Sequence, residues 1–196
     1  MLAVAERSFA RGFHAASVDA IAEACGVTKP MIYAYFGSKE GLYRACMAQA
    51  RERLFAALRK GVDTSAPPDQ QLWHGLLAVF TFVEREQDAW AVLLGEVTAG
   101  TGPFAAEGAQ LRQELTLLIA DLLRRAALAE GMREDGLGMV EPIARSLIGA
   151  GESLAVWWAD HPDEPAEKVA LVLMNVAWHG LGGIVEGRTW TPPRSA

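Results

Sequence analysis

The chain has 196 residues, of which 51% are hydrophobic and 21% are charged, and its formal net charge at pH 7 is −6. This composition is typical of a folded globular protein and excludes a disordered chain. Charges near the start (Glu6, Arg7) lead us to expect no signal peptide, and the uncharged run 169–185 is too short and too rich in glycine to span a bilayer. Because two cysteines provide no disulfide framework, we expect a reducing, cytoplasmic location.

The charges are distributed unevenly along the chain. Residues 1–60 hold nine Lys/Arg against five Asp/Glu, whereas residues 61–196 hold nine against nineteen. A basic head on an acidic body is expected when only the head meets a polyanion.

Helical patterns dominate the whole sequence, and the β-branched alternation typical of strands is nearly absent. Breaks at glycine and proline clusters separate nine predicted helices: 1–11, 18–25, 28–35, 39–60, 69–86, 88–98, 104–129, 138–159 and 165–186. The segment "DTSAPPD" at 63–69 coincides with the change in charge. We therefore predict an all-α fold of about nine helices in two units, joined near this segment.

The stretch "VDAIAEACGVTKPMIYAYFG", residues 18–37, fits a helix-turn-helix. Such a unit needs apolar residues where its helices touch, a small residue at the crossing and a flexible residue at the turn. The residues at those positions are Ile21, Ala22, Cys25, Gly26, Val27, Ile32 and Tyr35. Ser17 is placed to cap the first helix and Thr28 the second, and Pro30 falls in the first turn, where its missing N–H costs nothing.

A short second helix of this kind inserts its N-terminal end into the DNA major groove. Thr28 and Lys29 stand at that end, and Tyr33 is a candidate hydroxyl donor to phosphate. Ser38 caps the next helix and places Lys39 in its first turn, where a cation opposes the helix dipole and suits a bound anion. We expect DNA contacts from eight residues: Ser17, Thr28, Lys29, Pro30, Met31, Tyr33, Tyr35 and Lys39.

The stretch 13–47, "FHAASVDAIAEACGVTKPMIYAYFGSKEGLYRACM", resembles the DNA-binding region of the tetracycline-repressor (TetR) family of bacterial transcription regulators. The features that carry the resemblance are "IA" at 21–22, "GVTKPMIYAYF" at 26–36 and "SKEGL" at 38–42. It implies an all-helical homodimer whose recognition helices bind two half-sites of a palindromic operator in double-stranded DNA. It also implies a C-terminal domain that binds a small-molecule inducer and releases the DNA.

With this resemblance, residues 1–48 are expected to form the helix-turn-helix DNA-binding domain, with the motif itself at 17–36. Residues 49–196 are expected to form the helical ligand-binding and dimerisation domain. Family members usually carry a basic arm before the helix that begins here at Met1. We therefore expect either a start upstream of Met1 or a weaker affinity for DNA, because phosphate contacts dominate that affinity.

An apolar stripe runs along the last two predicted helices, about 138–159 and 165–186. Its members are Ile143, Ala144, Leu147, Ile148, Gly151, Leu154, Ala155 and Trp158 in the first, and Ala166, Val169, Ala170, Leu173, Val176, Ala177, Gly180 and Ile184 in the second. The pattern fits packing within one chain as well as a four-helix interface across a two-fold axis. The resemblance favours a homodimer through these helices.

A ligand pocket should be apolar with a few polar groups, enclosed by the middle helices. The candidate residues are Trp73, His74, Leu77, Phe80, Trp90, Leu94, Phe104, Leu118, Glu152 and His179. Glu152 interrupts an otherwise apolar helix, and a buried carboxylate must be paired, neutralised or turned toward a polar cavity. A histidine placed like His179 is more typical of a satisfied core residue.

The sequence contains no metalloprotease motif, paired-cysteine motif, phosphate-binding glycine loop or nucleophile elbow, and its four histidines lack ligand-like spacing. We therefore expect no enzymatic activity, no cofactor and no metal. The interpretation is a ligand-responsive dimeric repressor without a membrane partner. The alternatives are a helical small-molecule-binding or enzymatic protein with weakened or lost DNA binding, and a constitutive regulator without a ligand.

Overall fold

The computed structural model describes residues 1–99, 102–129, 131 and 133–185, and within them it contains nine α-helices, one 3₁₀ helix and no strand. The helices are α1 (Leu2–Phe9), α2 (Val18–Ala24), α3 (Lys29–Phe36), α4 (Lys39–Gly61), α5 (Pro68–Arg85), α6 (Gln87–Ala99), α7 (Ala105–Ala129), the 3₁₀ helix (Glu134–Met139), α8 (Val140–Ala159) and α9 (Ala166–Val185). The predicted all-α fold is confirmed, and the described helix ends lie within two residues of the predicted ones. Residue 186 of the last predicted helix lies outside the described residues. None of the helices described is both long and apolar enough to cross a membrane.

The first of two compact units comprises Met1–Gly61 and Thr81–Gln113. Its core includes side chains that are at most 2% exposed, among them Phe9, Ile21 and Ile32. Val92 of α6 and Phe104, just before α7, belong to the same core. Each such side chain contributes roughly 1.5–3 kcal/mol on burial, so the helix-turn-helix is anchored by segments that lie far along the chain.

The turn of the helix-turn-helix follows from its glycine. Gly26 has φ of 67°, a left-handed conformation that L side chains rarely adopt. The carbonyl oxygen of Ala22 then accepts hydrogen bonds from the N–H groups of Cys25 (3.2 Å) and Val27 (3.0 Å), which closes the end of α2. The chain turns sharply there, and α3 begins three residues later.

The capping predictions fared differently at the two helices. The Ser17 hydroxyl accepts a hydrogen bond from the N–H of Ala20 at 3.4 Å, so the predicted cap of α2 is confirmed. Thr28 occupies the N-cap position of α3 with extended backbone angles, but its side chain makes no capping hydrogen bond. That prediction was wrong, because the rule identifies the position from the sequence and cannot fix the hydroxyl rotamer.

The second unit comprises Val62–Phe80 together with Glu114 and the described residues that follow it. Phe80 and Trp158 pack edge to face with ring centroids 5.8 Å apart. The Trp158 indole N–H donates to the carbonyl oxygen of Glu164 at 2.7 Å, which satisfies its one polar group. Gly151 of α8 lies close to Leu173 of α9, where a Cβ would stand 3.5 Å from the leucine side chain.

Most of the stripe that we expected to pair two chains is buried within the single chain. Its buried members are Ala144, Leu147, Ala155, Trp158, Ala166, Val169, Ala170, Leu173 and Ala177. Among the described residues of α8 and α9, six large apolar side chains are exposed: Val156, Trp157, Leu171, Val172, Val176 and Trp178. Of these six, Val176 belongs to the predicted stripe, and the side chain of Ile184, another stripe member, lies outside the described residues. Periodicity reveals that a helix has an apolar face, but it does not show which neighbour covers that face. For the nine buried members the alternative of packing within one chain is correct, and dimerisation through α8 and α9 stays a prediction.

Candidate DNA-binding interface

Helix α3 has one buried face and one exposed face. Ile32 is completely buried and holds the helix against the core of the first unit. On the other side, Met31 is 44% exposed, Tyr33 37% and Tyr35 75%. The prediction of Tyr35 as an inner contact of the helix-turn-helix was therefore wrong, because its side chain lies in solvent while that of Ile32 is buried. A short helix that keeps two tyrosines and a methionine in solvent presents a surface suited to contact with another molecule.

The ammonium group of Lys29 has a partner within the protein. Its Nζ lies 2.9 Å from Asp19 Oδ2 on α2 and 5.9 Å from the centre of the Tyr33 ring. The hydrogen bond and the charge of Asp19 raise the pKa of Lys29, so the side chain stays protonated. Asp19 is largely exposed and Lys29 is half-buried, and ion pairs this open to solvent contribute little to stability. The ammonium is therefore positioned but not buried.

Helix α4 follows α3 after a connection of two residues. The Ser38 hydroxyl accepts a hydrogen bond from the N–H of Gly41 at 3.1 Å, which confirms the predicted cap. Lys39 Nζ lies 4.7 Å from the centre of the Phe13 ring. This cation–π contact accounts for part of the stability of a lysine placed against the helix dipole. Glu40 beside it accepts hydrogen bonds from its own N–H and from Ser38, which lower the pKa of its carboxyl.

The eight expected DNA-contacting residues all lie in the first unit, on three consecutive elements. Ser17 is the exposed N-cap of α2, six of the residues lie at the start and along α3, and Lys39 is half-buried at the start of α4. Sequence reasoning missed Asp19. Its carboxylate is ten residues from Lys29, and no local motif indicates that the two side chains meet.

The ten expected ligand contacts are divided between the two units. Trp90, Leu94 and Phe104 lie in the first, and the other seven lie in the second. Phe104 is 1% exposed and packs against Phe13 and Tyr43, with ring centroids 4.9 and 4.5 Å apart. Phe80 is also buried, and Leu118 and His179 are exposed. The other six residues are half-buried: Trp73, His74, Leu77, Trp90, Leu94 and Glu152. Glu152 has an interaction partner within the protein. Burial thus indicates a packing role for Phe80 and Phe104.

A polar cavity of about 450 Å³ lies within the first unit and includes none of those ten side chains. Its walls include Glu6 of α1 and Arg53 of α4, whose Oε2 and Nη2 atoms form an ion pair at 2.7 Å. Glu6 is 4% exposed, so the pair fixes α1 to α4 from a buried position. In the part of the chain that the structure describes, no group of three or more His, Cys, Asp or Glu residues could hold a metal ion.

The comparisons with known proteins agree with this geometry. The family described as "Bacterial regulatory proteins, tetR family" matches residues 1–46, and "Tetracyclin repressor-like, C-terminal domain" matches residues 68–180. The HTH-type transcriptional activator FasR of Mycolicibacterium smegmatis is 27% identical over 186 residues, covering 94% of this chain and 82% of FasR. The structure of a TetR-like transcriptional regulator from a Rhodococcus species is similar at a TM-score of 0.77, with 33% identity and 93% of each chain covered. The structure of the TetR family regulator PfmR from Thermus thermophilus is similar at a TM-score of 0.71 and 25% identity, and the match covers 91% of this chain and 98% of PfmR.

Proposed function

Because the chain belongs to the TetR family of bacterial transcription regulators, we propose that it is a ligand-responsive homodimer that binds a palindromic DNA operator. The observation that carries the DNA-binding part is the exposed face of α3. Ile32 anchors the helix while Tyr33 and Tyr35 stay in solvent, and Lys29 stands at the N-terminal end. That arrangement suits insertion into a major groove. On this proposal the protein works in the cytoplasm, where chromosomal DNA is available.

The proposed division of labour assigns DNA binding to residues 1–48 and ligand binding and dimerisation to residues 49–196. Contacts to phosphate would come from the hydroxyl groups of Ser17, Thr28 and Tyr33 and from the ammonium group of Lys39, and Lys29 would reach bases or phosphates. Pro30, Met31 and Tyr35 would face base edges. The proposed regulation is repression that a small molecule relieves, although the relative FasR bears the name of an activator. A reporter fused to the promoter of the chain's own gene distinguishes repression from activation.

The DNA-binding proposal is tested by titrating the protein with duplex DNA from upstream of its own gene at several salt concentrations. The affinity for the specific DNA should fall as salt is added, and the plot of log affinity against log salt concentration should have a slope of about −0.9 per phosphate contact. Lys39→Ala should reduce the slope by about two for a dimer. Lys60→Ala is the matched control, because it removes the same charge from the last turn of α4, about 32 Å along the helix at 1.5 Å per residue. Weak binding that ignores sequence would support the alternative of lost DNA function.

The exposed apolar set on α8 and α9 supports the dimer proposal. Val176 is 68% exposed, and Leu171 and Val172 on the same helix are 49% and 50% exposed. A charge placed there should separate the chains, because an unpaired carboxylate is costly in an apolar interface. Val176→Glu should lower the mass measured by light scattering from that of a dimer toward that of a monomer. Ala109→Glu, at an exposed position of α7 in the first unit, should leave the mass unchanged.

The proposed ligand response is tested by thermal melting. A small molecule that binds the folded protein raises its melting temperature by mass action. On this proposal the same compound should weaken DNA binding, and DNA should weaken binding of the compound by the same factor, because coupling between two sites is reciprocal. A metabolite and drug panel that produces no shift would favour a constitutive regulator.

A further inference from the structure

The exposed face of α3 is almost wholly apolar. Pro30, Met31, Ala34 and Tyr35 follow the spacing i, i+1, i+4 and i+5, which places them on one side of the helix. All four are exposed in the structure, and the only polar atom among their side chains is the Tyr35 hydroxyl. A surface of this kind is suited to contact with an apolar group on its partner.

Apart from Lys29, helix α3 lacks the side chains that read bases by paired hydrogen bonds. Its sequence, "KPMIYAYF", has no Asn or Gln for adenine, no Arg for guanine and no Asp or Glu for cytosine. Lys29 is its one charged residue, and its ammonium lies 2.9 Å from the Asp19 carboxylate. Hydrogen-bonded readout from this helix is therefore limited to Lys29, the tyrosine hydroxyls and the flanking Thr28.

Each base pair presents its own pattern in the major groove, and the 5-methyl group of thymine is the apolar feature of that pattern. We propose that Met31, with Ala34 beside it, recognises thymine methyl groups in each half-site of the operator. Met31 is suited to this contact because a methionine side chain is unbranched, polarisable and adaptable in shape. The inference rests on the proposed function, because it requires α3 to enter the major groove.

The test begins with selection of tightly bound duplexes from a random-sequence DNA library. In the selected half-sites, each thymine is then replaced by deoxyuridine, which removes the methyl group and keeps the base pairing. At one position in the half-site the affinity should fall about fourfold, as expected from the transfer of one methyl-sized group out of water. Changing that position in both half-sites should lower the affinity about fifteenfold.

Two variants assign the effect to its residue. In Met31→Ala the ratio of affinities for thymine and deoxyuridine at that position should fall to about one. Tyr33→Phe is the matched control, because it removes a proposed phosphate contact from the same helix and should keep the ratio. As a second readout, 5-methylcytosine should bind better than cytosine at the same position in the unchanged protein, and equally well in Met31→Ala.

The possible failures are distinguishable. If the selection enriches no sequence, the proposed function is overturned. If a sequence is enriched but no thymine in it is sensitive to deoxyuridine, the methyl inference alone is overturned. A thymine preference that persists in Met31→Ala also overturns it. Met31 is 44% exposed, so its truncation should leave the fold intact, which circular dichroism checks.

Discussion

Replacing Gly41 with alanine tests how α3, the proposed recognition helix, is held against α4. Gly41 is the third residue of α4, and its N–H donates to the capping Ser38 hydroxyl. A Cβ at this position would overlap the carbonyl oxygen of Phe36, the last residue of α3. That oxygen also accepts a hydrogen bond from the N–H of Ser38 at 2.9 Å. The overlapping atom belongs to the backbone, so the α3–α4 connection itself would have to move.

Two opposing terms set the size of the effect. Alanine is favoured over glycine inside a helix by about 1 kcal/mol. Forcing an extra carbon into a packed site costs about 1–3 kcal/mol, and a backbone obstacle places Gly41→Ala at the upper end of that range. The net loss should be about 1–2 kcal/mol. For a chain of this size that corresponds to a fall in melting temperature of roughly 2–8 °C.

The assay is thermal unfolding followed by circular dichroism, together with a DNA titration. DNA affinity should fall as well, because a displaced Phe36 displaces the end of the recognition helix. The matched control is Gly75→Ala in α5, where a Cβ would stand 3.7 Å from Val62 Cγ2, an ordinary contact. That variant should be unchanged or up to about 1 kcal/mol more stable. If Gly41→Ala melts at or above the temperature of the unchanged protein, the overlap argument is refuted.

Three side-chain environments in the first unit give further outcomes. Asp19→Asn removes the charged partner of Lys29 and frees its ammonium group, so DNA affinity should rise. The plot of log affinity against log salt concentration should steepen by about 0.9 per chain, and an unchanged slope would contradict this reasoning. Burial, with a smaller effect of a nearby carboxylate, raises the pKa of the Cys46 thiol to about 12, so Ellman's reagent should modify it only after unfolding. The hydrogen bond from Arg44 lowers the pKa of the Glu107 carboxyl. The ion pair therefore stabilises the folded state above the ordinary glutamate pKa of 4.5, and this stabilisation is lost as the pH falls and the carboxylate is protonated. Glu107→Gln should therefore make the melting temperature less dependent on pH on the acidic side, and an unaltered pH profile would argue against the pair.

The helices were predictable because their signals are local. Glycine and proline break the chain at fixed places, and apolar periodicity fills the intervals. Ser17 and Ser38 act as the caps that their positions predict. The recognition helix follows for the same reason, since Gly26 permits the turn and Pro30 pre-sets the first turn of α3.

The charge pairs around that helix could not be predicted from local patterns. Lys29 and Asp19 are ten residues apart on different helices, and Arg53 meets Glu6 from a distance of 47 residues. Their pairing depends on the angles at which α2 crosses α3 and α1 packs on α4. Sequence reasoning treats such residues as solvated charges, and for Glu6 that expectation fails because the side chain is buried.

Similarly, the sequence showed that α8 and α9 are apolar but not which face is covered. Leu173 and Val176 are three residues apart, which places them on the same broad face of an ideal helix. The structure buries Leu173 to 4% exposure and leaves Val176 at 68%. Only the packing of α8 against α9 distinguishes them. The proposed self-pairing through Val176 therefore depends on its exposure, which the repeat alone does not show.

The core of the first unit, which contains the helix-turn-helix, depends on residues that lie well beyond that motif in the sequence. Tyr43 of α4 donates its hydroxyl to the carbonyl oxygen of Val92 at 3.3 Å, and its ring contacts Phe104. Arg44 Nε lies 2.6 Å from Glu107 Oε1, which ties α4 to the start of α7. A fragment ending at Gly61 would expose the surface that Val92 and Phe104 cover, so the head should not be independently stable. On the proposed function, a ligand that displaces α6 would alter the packing around Tyr43 and thereby move α4, on whose N-terminal end the recognition helix rests.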